Sequence, residues 1–177
     1  MKLYKLTDSE NRTQNGTIWG KGVTHTARGA GSRLCTSDVI HAYTDPYIAV
    51  FMNPLHANIN KPIMWEARGT VIADDGTKVG VKSLTTIRKI KLVSLSYHQK
   101  VAIGIKCAFT VYKSKEYKKW GENWLNGIDR SSYDSTDMAA AYDAAYAAYE
   151  AARNINYSGS AFDLAGIIKD VLDTFKE

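Results

Sequence analysis

Near residue 95 the spacing of apolar residues changes, and this change restricts the possible folds more than any other feature of the chain. Before it, "KLYKLT" (2–7), "IMWEARGTVI" (63–72) and "KVGVKSLTTIRKIKLV" (78–93) read as strands, the last of them broken in two. The "DDGT" at 74–77 is a tight-turn signal between two of these segments. After it, apolar side chains recur every three or four positions. "SYHQKVAIGIKCAFTVYKS" carries a stripe of Val101, Ile105, Ala108, Phe109 and Tyr112. "KEYKKWGENWLNG", "STDMAAAYDAAYAAYEAARN" and "SAFDLAGIIKDVLDTF" continue the helical period. The expected class is α+β: an N-terminal, mostly antiparallel sheet with one short inserted helix, and a C-terminal half of about four helices. Residues 1–95 form the β-rich basic body and 96–177 the helical half packed on it, within a single structural domain.

The inserted helix has a legible start. "VIHAY" reads as a strand or loop, Thr44 or Asp45 suits an N-cap, and Pro46 suits the first turn of a helix over "YIAVFMN". Pro54 and Pro62 are expected to bracket a loop. In the alanine-rich helix, Tyr142, Tyr146 and Tyr149 share one face while alanines fill the others, and Ser135, Thr136 and Asp137 offer cap chemistry. Small residues allow close approach of another helix, either the last helix of the same chain or a second subunit. A homo-oligomer assembled through helices at 136–176 is the expectation that follows from the second case.

The apolar fraction of 45% in 177 residues is that of one folded domain of ordinary size. Cys35 and Cys107 stand far apart with no ligand spacing around them, which argues against a disulfide scaffold or a zinc module. No apolar run approaches the ~20 residues that cross a bilayer, and "MKLYKLTDSENRT" has no apolar h-region. A soluble protein of the cytoplasm, with no membrane partner, is therefore expected. Charge is uneven: residues 1–133 hold 20 Lys and Arg against 10 Asp and Glu, whereas 134–177 hold 3 against 8. A basic body with an acidic tail suggests a partner carrying phosphates, or contact between opposite faces of two copies.

The segment "GKGVTHTARGAGSRLC" (20–35) gathers glycines, hydroxyls, His25 and the cations Lys21, Arg28 and Arg33. Glycine lets backbone N–H groups converge on an anion, and arginine matches phosphate oxygens, so the segment reads as an anion cradle or as a plain surface loop. It spells neither the P-loop nor the dinucleotide fingerprint. The preferred constellation joins it to "IHAYTD" and "MWEARG". Lys21, Arg28 and Arg33 would hold phosphates, and Tyr43 or Trp65 would stack a base, a contact worth ~1–3 kcal/mol. Asp45 or Glu66 would accept from ribose hydroxyls or an exocyclic amine, with His25 and His41 at the same pocket. His25, His41, His56 and His98 lack metal-ligand spacing, and no serine or cysteine lies in a recognisable nucleophile frame. Neither a metal nor a cofactor is expected.

At "LCTSDVIHAYTDPYIAVFMNP", "WEARGTV", "DDGTKVGVKSLTTI", "WGENWLNGIDRS" and "AAAYDAAYAAYEAA" the chain resembles a group of phage-encoded accessory proteins. That resemblance implies action in the host cytoplasm, in takeover of the host or evasion of its defences. The opening strand and "YTDPYIAV" also resemble the ADP-ribosyltransferase arrangement. Against that pattern His41 and Tyr43 share one segment, and Glu66 has no E-x-E partner. The expected function is capture of a phosphorylated small molecule, such as a nucleotide signal of host immunity, without turnover. The alternatives are an ADP-ribosyltransferase-like enzyme using Glu66 with His41 or Tyr43, and an inhibitor that covers a host defence protein or a nucleic-acid channel. Direct nucleic-acid binding is the less favoured partner.

Overall fold

The computed structural model describes residues 1–130 and 137–176, which separate into two compact units, Met1–Ser94 and Leu95–Glu177. The class is α+β, with antiparallel sheets in the first unit and helices in the second.

In the N-terminal unit, β1 (Lys2–Thr7), β4 (Thr24–Thr26), β6 (Ile63–Arg68) and β9 (Ser83–Ile90) form a four-stranded sheet in the order β1-β6-β9-β4. Strands β5 (Ile40–Ala42), β7 (Val71–Asp74) and β8 (Val79–Val81) form a three-stranded sheet in the order β5-β8-β7. A small ribbon of β2 (Arg12–Thr13) and β3 (Thr17–Ile18) completes the β structure. One long hairpin serves both larger sheets. Its outgoing arm passes from β6 to β7 at Gly69 and Thr70, and its return arm passes from β8 to β9 at Lys82. Gly69 is needed there because a Cβ would lie 2.8 Å from the Ser83 carbonyl oxygen. The turn is the expected one at 74–77: Asp74 and Asp75 carboxylates accept from the backbone N–H groups of Gly76, Thr77 and Lys78. Leu3, Trp19, Ala42, Ala67, Val79, Val81 and Leu84 make one buried cluster between the strands.

Helix α1 (Pro46–His56) begins as the sequence indicates, with Asp45 accepting from the N–H groups of Tyr47 and Ile48 and Pro46 in the first turn. It ends later than expected. Pro54 lies inside its last turn, where the missing N–H costs one hydrogen bond without breaking the helix. Asn53 then closes the helix: its carbonyl accepts from Ala57 and Asn58, and its side-chain amide exchanges two hydrogen bonds with the backbone of Ile59. The final turn therefore carries His56.

The C-terminal unit holds α2 (Tyr97–Val111), α3 (Lys115–Leu125), α4 (Asp137–Tyr157) and α5 (Leu164–Thr174). Ser96 and Gln99 form a reciprocal capping box on α2, Ser114 caps α3 and Asp163 caps α5. The cap expected for α4 at Ser135 and Thr136 lies outside the described residues. The alanine face of α4 packs on α2, and α5 packs on α2 as well, so α2 takes the place expected of the last helix. The reason is local: Gly104 removes the side chain at the crossing, and a Cβ there would stand 2.8 Å from the Ala144 Cα. Ala140, Ala144, Ala145, Ala148 and Ala151 are buried, whereas Tyr142 and Tyr146 remain nearly half exposed with their rings stacked at 6.5 Å.

Replacing Gly104 with Val is expected to destabilise this unit by ~1–3 kcal/mol, the usual cost of overpacking a tight core. Tyr142→Ser, on the exposed face, should stay within ~0.5 kcal/mol of the parent. Urea unfolding followed by far-ultraviolet circular dichroism measures both.

Candidate functional site

Two backbone hydrogen bonds bring the polar residues of the N-terminal unit together. Tyr4 N–H donates to the Tyr43 carbonyl at 2.8 Å and Tyr43 N–H donates to the Tyr4 carbonyl at 2.9 Å, joining β1 to the end of β5. The residues next to that bridge, Lys5 on one side and His41 on the other, line an open cleft of about 1070 Å³. Trp19, His25, Arg28, Tyr43, His56 and Lys78 continue its wall.

The inner wall is a connected polar chain. Lys5 Nζ donates to the His41 carbonyl at 2.7 Å and stands 5.5 Å from the centre of the Trp19 ring. Burial lowers its pKa to about 8. His41 Nε2 accepts from the Cys35 backbone N–H at 2.9 Å. Burial first, and then the charges of Lys5 and Lys78, lower the His41 pKa to about 4. The ring of His56 stacks on that of Tyr43 at 18°. Its Nδ1 lies 3.4 Å from the Tyr43 hydroxyl and its Nε2 lies 3.4 Å from Lys78 Nζ. Burial and the Lys78 charge lower the His56 pKa to about 3, and burial raises that of Tyr43. Lys78 is itself buried and pairs with Asp75 at 3.0 Å. Burial alone would raise the Asp75 pKa, but the Lys78 charge and the hydrogen bonds from Thr77 and Lys78 outweigh it and hold the carboxyl below its usual range.

The outer wall includes the glycine-rich loop, and this loop is held by the protein itself. Lys82, at the kink between β8 and β9, donates to the carbonyls of Gly29, Gly31 and Asp38 at 2.9, 2.5 and 2.8 Å. Three of the loop's glycine N–H groups are also taken: Gly22 donates to Thr86, Gly29 to Ser37, and Gly31 to the Asp38 carboxylate. Glycine is required at 29, where a Cβ would stand 2.9 Å from the Asp38 backbone, whereas at 31 it would meet only the Asp38 carboxylate, at 2.5 Å. The loop's contribution to the cleft therefore comes from side chains, chiefly Arg28, which is exposed and has no carboxylate partner among the described residues.

Of the residues singled out in the sequence, the structure brings His25, Arg28, His41 and Tyr43 to this cleft. Lys21 and Arg33 are exposed and do not line it. Asp45 is occupied as the cap of α1. Trp65 is buried and its Nε1 donates to Thr7 Oγ1 at 3.1 Å. Glu66 pairs with Arg88 at 2.9 Å and Lys2 at 3.7 Å, and the Arg88 hydrogen bond is the main reason its carboxyl sits below the usual range. Neither Trp65 nor Glu66 lines the cleft. Sequence reasoning missed Lys5, Trp19, His56 and Lys78. The one available signal was Lys5 itself, a lysine in a strand whose neighbour Leu6 and near neighbour Leu3 are both apolar.

Comparison with protein-family models, with curated proteins and with solved structures gave no match to the chain. Among the described residues no group of three or more His, Cys, Asp and Glu could hold a metal ion, and no helix is long and apolar enough to cross a membrane.

Two outcomes follow from the shifted groups. His41 and His56 stay neutral in the folded unit while the unfolded chain takes up their protons near pH 6.5, so stability should fall as pH drops from about 6.5 towards 4. Urea midpoints measured across that range should show a shallower fall in His56→Phe. The sign for Lys5 is the same but its window lies higher, since its folded form gives up at about 8 the proton that the unfolded chain keeps up to 10.5. Lys5→Met should therefore raise the melting temperature at pH 7, and the gain should fade as pH rises through 8 towards 10.5.

Proposed function

We propose that the N-terminal unit is a binding module for a nucleotide or similar ring-bearing phosphorylated small molecule, which it holds without turnover. The observation that carries this reading is the charge of the cleft. Lys5, Arg12, Arg28 and Lys78 line it, Arg12 paired with Glu10 and Lys78 with Asp75, together with the half-buried ring of His25 and the buried rings of Trp19 and Tyr43. Asp8 is the one carboxylate among the lining residues, and it is spent on the backbone N–H groups of Glu10 and Arg12. Cations with aromatic surface beside them suit a phosphate joined to a flat ring.

Capture without chemistry is favoured by what the cleft lacks. A general base works best with a pKa near the working pH, and His41 and His56 lie far below neutrality at about 4 and about 3. Glu66, the carboxylate that the transferase reading would use, points away to Arg88 and Lys2. The resemblance to phage accessory proteins supplies the biological setting of the proposal: a homo-oligomer in the host cytoplasm that sequesters a nucleotide immune signal.

Native mass spectrometry and calorimetry with ATP, ADP, ADP-ribose and a cyclic dinucleotide test the reading. At least one should bind and be recovered unchanged on heating. Arg28→Glu should weaken that binding tenfold or more, because a charge-assisted contact worth ~1.5–3 kcal/mol becomes repulsive. Glu66→Gln should leave it within twofold. Recovery of an altered nucleotide would make the protein an enzyme, and no binding by any of the four would end the proposal.

A further inference from the structure

The hydrogen-bond directions on the inner wall can be worked out one group at a time, and they all point the same way. Lys78 Nζ is an ammonium and can only donate, so His56 Nε2 beside it must accept. The proton of neutral His56 is therefore on Nδ1, where it is directed to the Tyr43 hydroxyl oxygen. Tyr43, whose oxygen is thus the acceptor of that bond, keeps its own O–H proton for another partner. His41 obeys the same logic from the other side: Nε2 accepts from the Cys35 N–H, which leaves the proton on Nδ1 with no protein acceptor among the described residues. Lys5 uses one of its N–H bonds on the His41 carbonyl and has the others to spare. Tyr43 is 94% buried at this wall, so an unmet hydroxyl donor there is costly.

Lys5, His41 and Tyr43 all line the cleft, and each has a hydrogen to offer. We propose that Lys5, His41 and Tyr43 form a subsite for a fully deprotonated phosphoryl group, a purely accepting anion, and that Lys78 is a positioning residue that sets the protons of His56 and Tyr43. The inference rests on the nucleotide reading and deepens it by placing the phosphate at the inner wall, with Arg28 left for a second phosphate or for the approach. A phosphodiester, an internal phosphoanhydride or an ionised phosphomonoester meets all three donors. A sugar hydroxyl or a protonated phosphate oxygen accepts fewer of these hydrogens and brings a hydrogen of its own that needs an acceptor elsewhere.

The test reads the protons directly in the full chain. Nitrogen-15 correlation spectra of the histidine rings should show the Nδ1–H tautomer for both His41 and His56 before any ligand is added. Adding the tightest binder among ADP, ADP-ribose and the cyclic dinucleotide should shift the His41 Nδ1 resonance. Tyr43→Phe keeps the ring against His56 and should weaken that ligand at least fivefold while leaving the affinity for unphosphorylated adenosine unchanged. Lys78→Met should let His56 revert to the Nε2–H form, and Tyr43→Phe tests the subsite even if that variant fails to fold. An Nε2–H tautomer at His41 or His56 in the parent, or undiminished nucleotide binding by Tyr43→Phe, overturns the subsite while leaving the nucleotide reading in place. Failure of every phosphate-bearing probe to bind overturns both.

Discussion

Most of the N-terminal unit depends on the reciprocal pair of backbone hydrogen bonds between Tyr4 and Tyr43. They tie the four-stranded sheet to the three-stranded sheet at a second point, the first being the hairpin that runs through both. Each bond alone contributes on the order of 1 kcal/mol. Their geometric effect is larger than that figure suggests. With β1 and β5 held side by side, Lys5 reaches the His41 carbonyl, and α1, which starts three residues after Tyr43, carries His56 back over the Tyr43 ring.

The polar chain behind that wall is expensive to build. Lys78 is buried, and its ion pair with Asp75 sits in a medium where desolvation offsets much of the attraction. An apolar pair at these positions would fold as well, so the retention of charge calls for another explanation. The one offered by the geometry is that an ammonium can only donate, and so determines which nitrogen of His56 bears the proton. On the proposed tautomers the ion pair gives one direction to the hydrogen bonds that run from Lys78 through His56 to Tyr43.

The parts of the fold that sequence made legible are those set by local rules. The alanine run of α4, a cap at Thr44 or Asp45 before Pro46, the "DDGT" turn and a break somewhere within 78–93 all depend on residues within a few positions of one another. Pro54 misled because a proline in the last helical turn loses only one bond, a distinction that requires knowing where the helix ends. The site was less legible for the same reason carried further. His56 meets Lys78 across 22 residues, and Trp65 and Glu66 lie beside suggestive neighbours in sequence while facing elsewhere in space. The charge of the glycine-rich segment was visible, but the partner of its carbonyls was not, since Lys82 stands 53 residues beyond Gly29.

That last separation bears on how the molecule comes to be folded. The loop containing Gly29 and Gly31 is completed by the hairpin, which presents Lys82 at its kink, and among the described residues no other ammonium meets the Gly29, Gly31 and Asp38 carbonyls. Closing a long stretch of chain costs entropy before any contact repays it, and such contacts form slowly. The outer wall of the cleft is thus built from contacts far apart in the chain, whereas the turn of the hairpin beside it is built from neighbours.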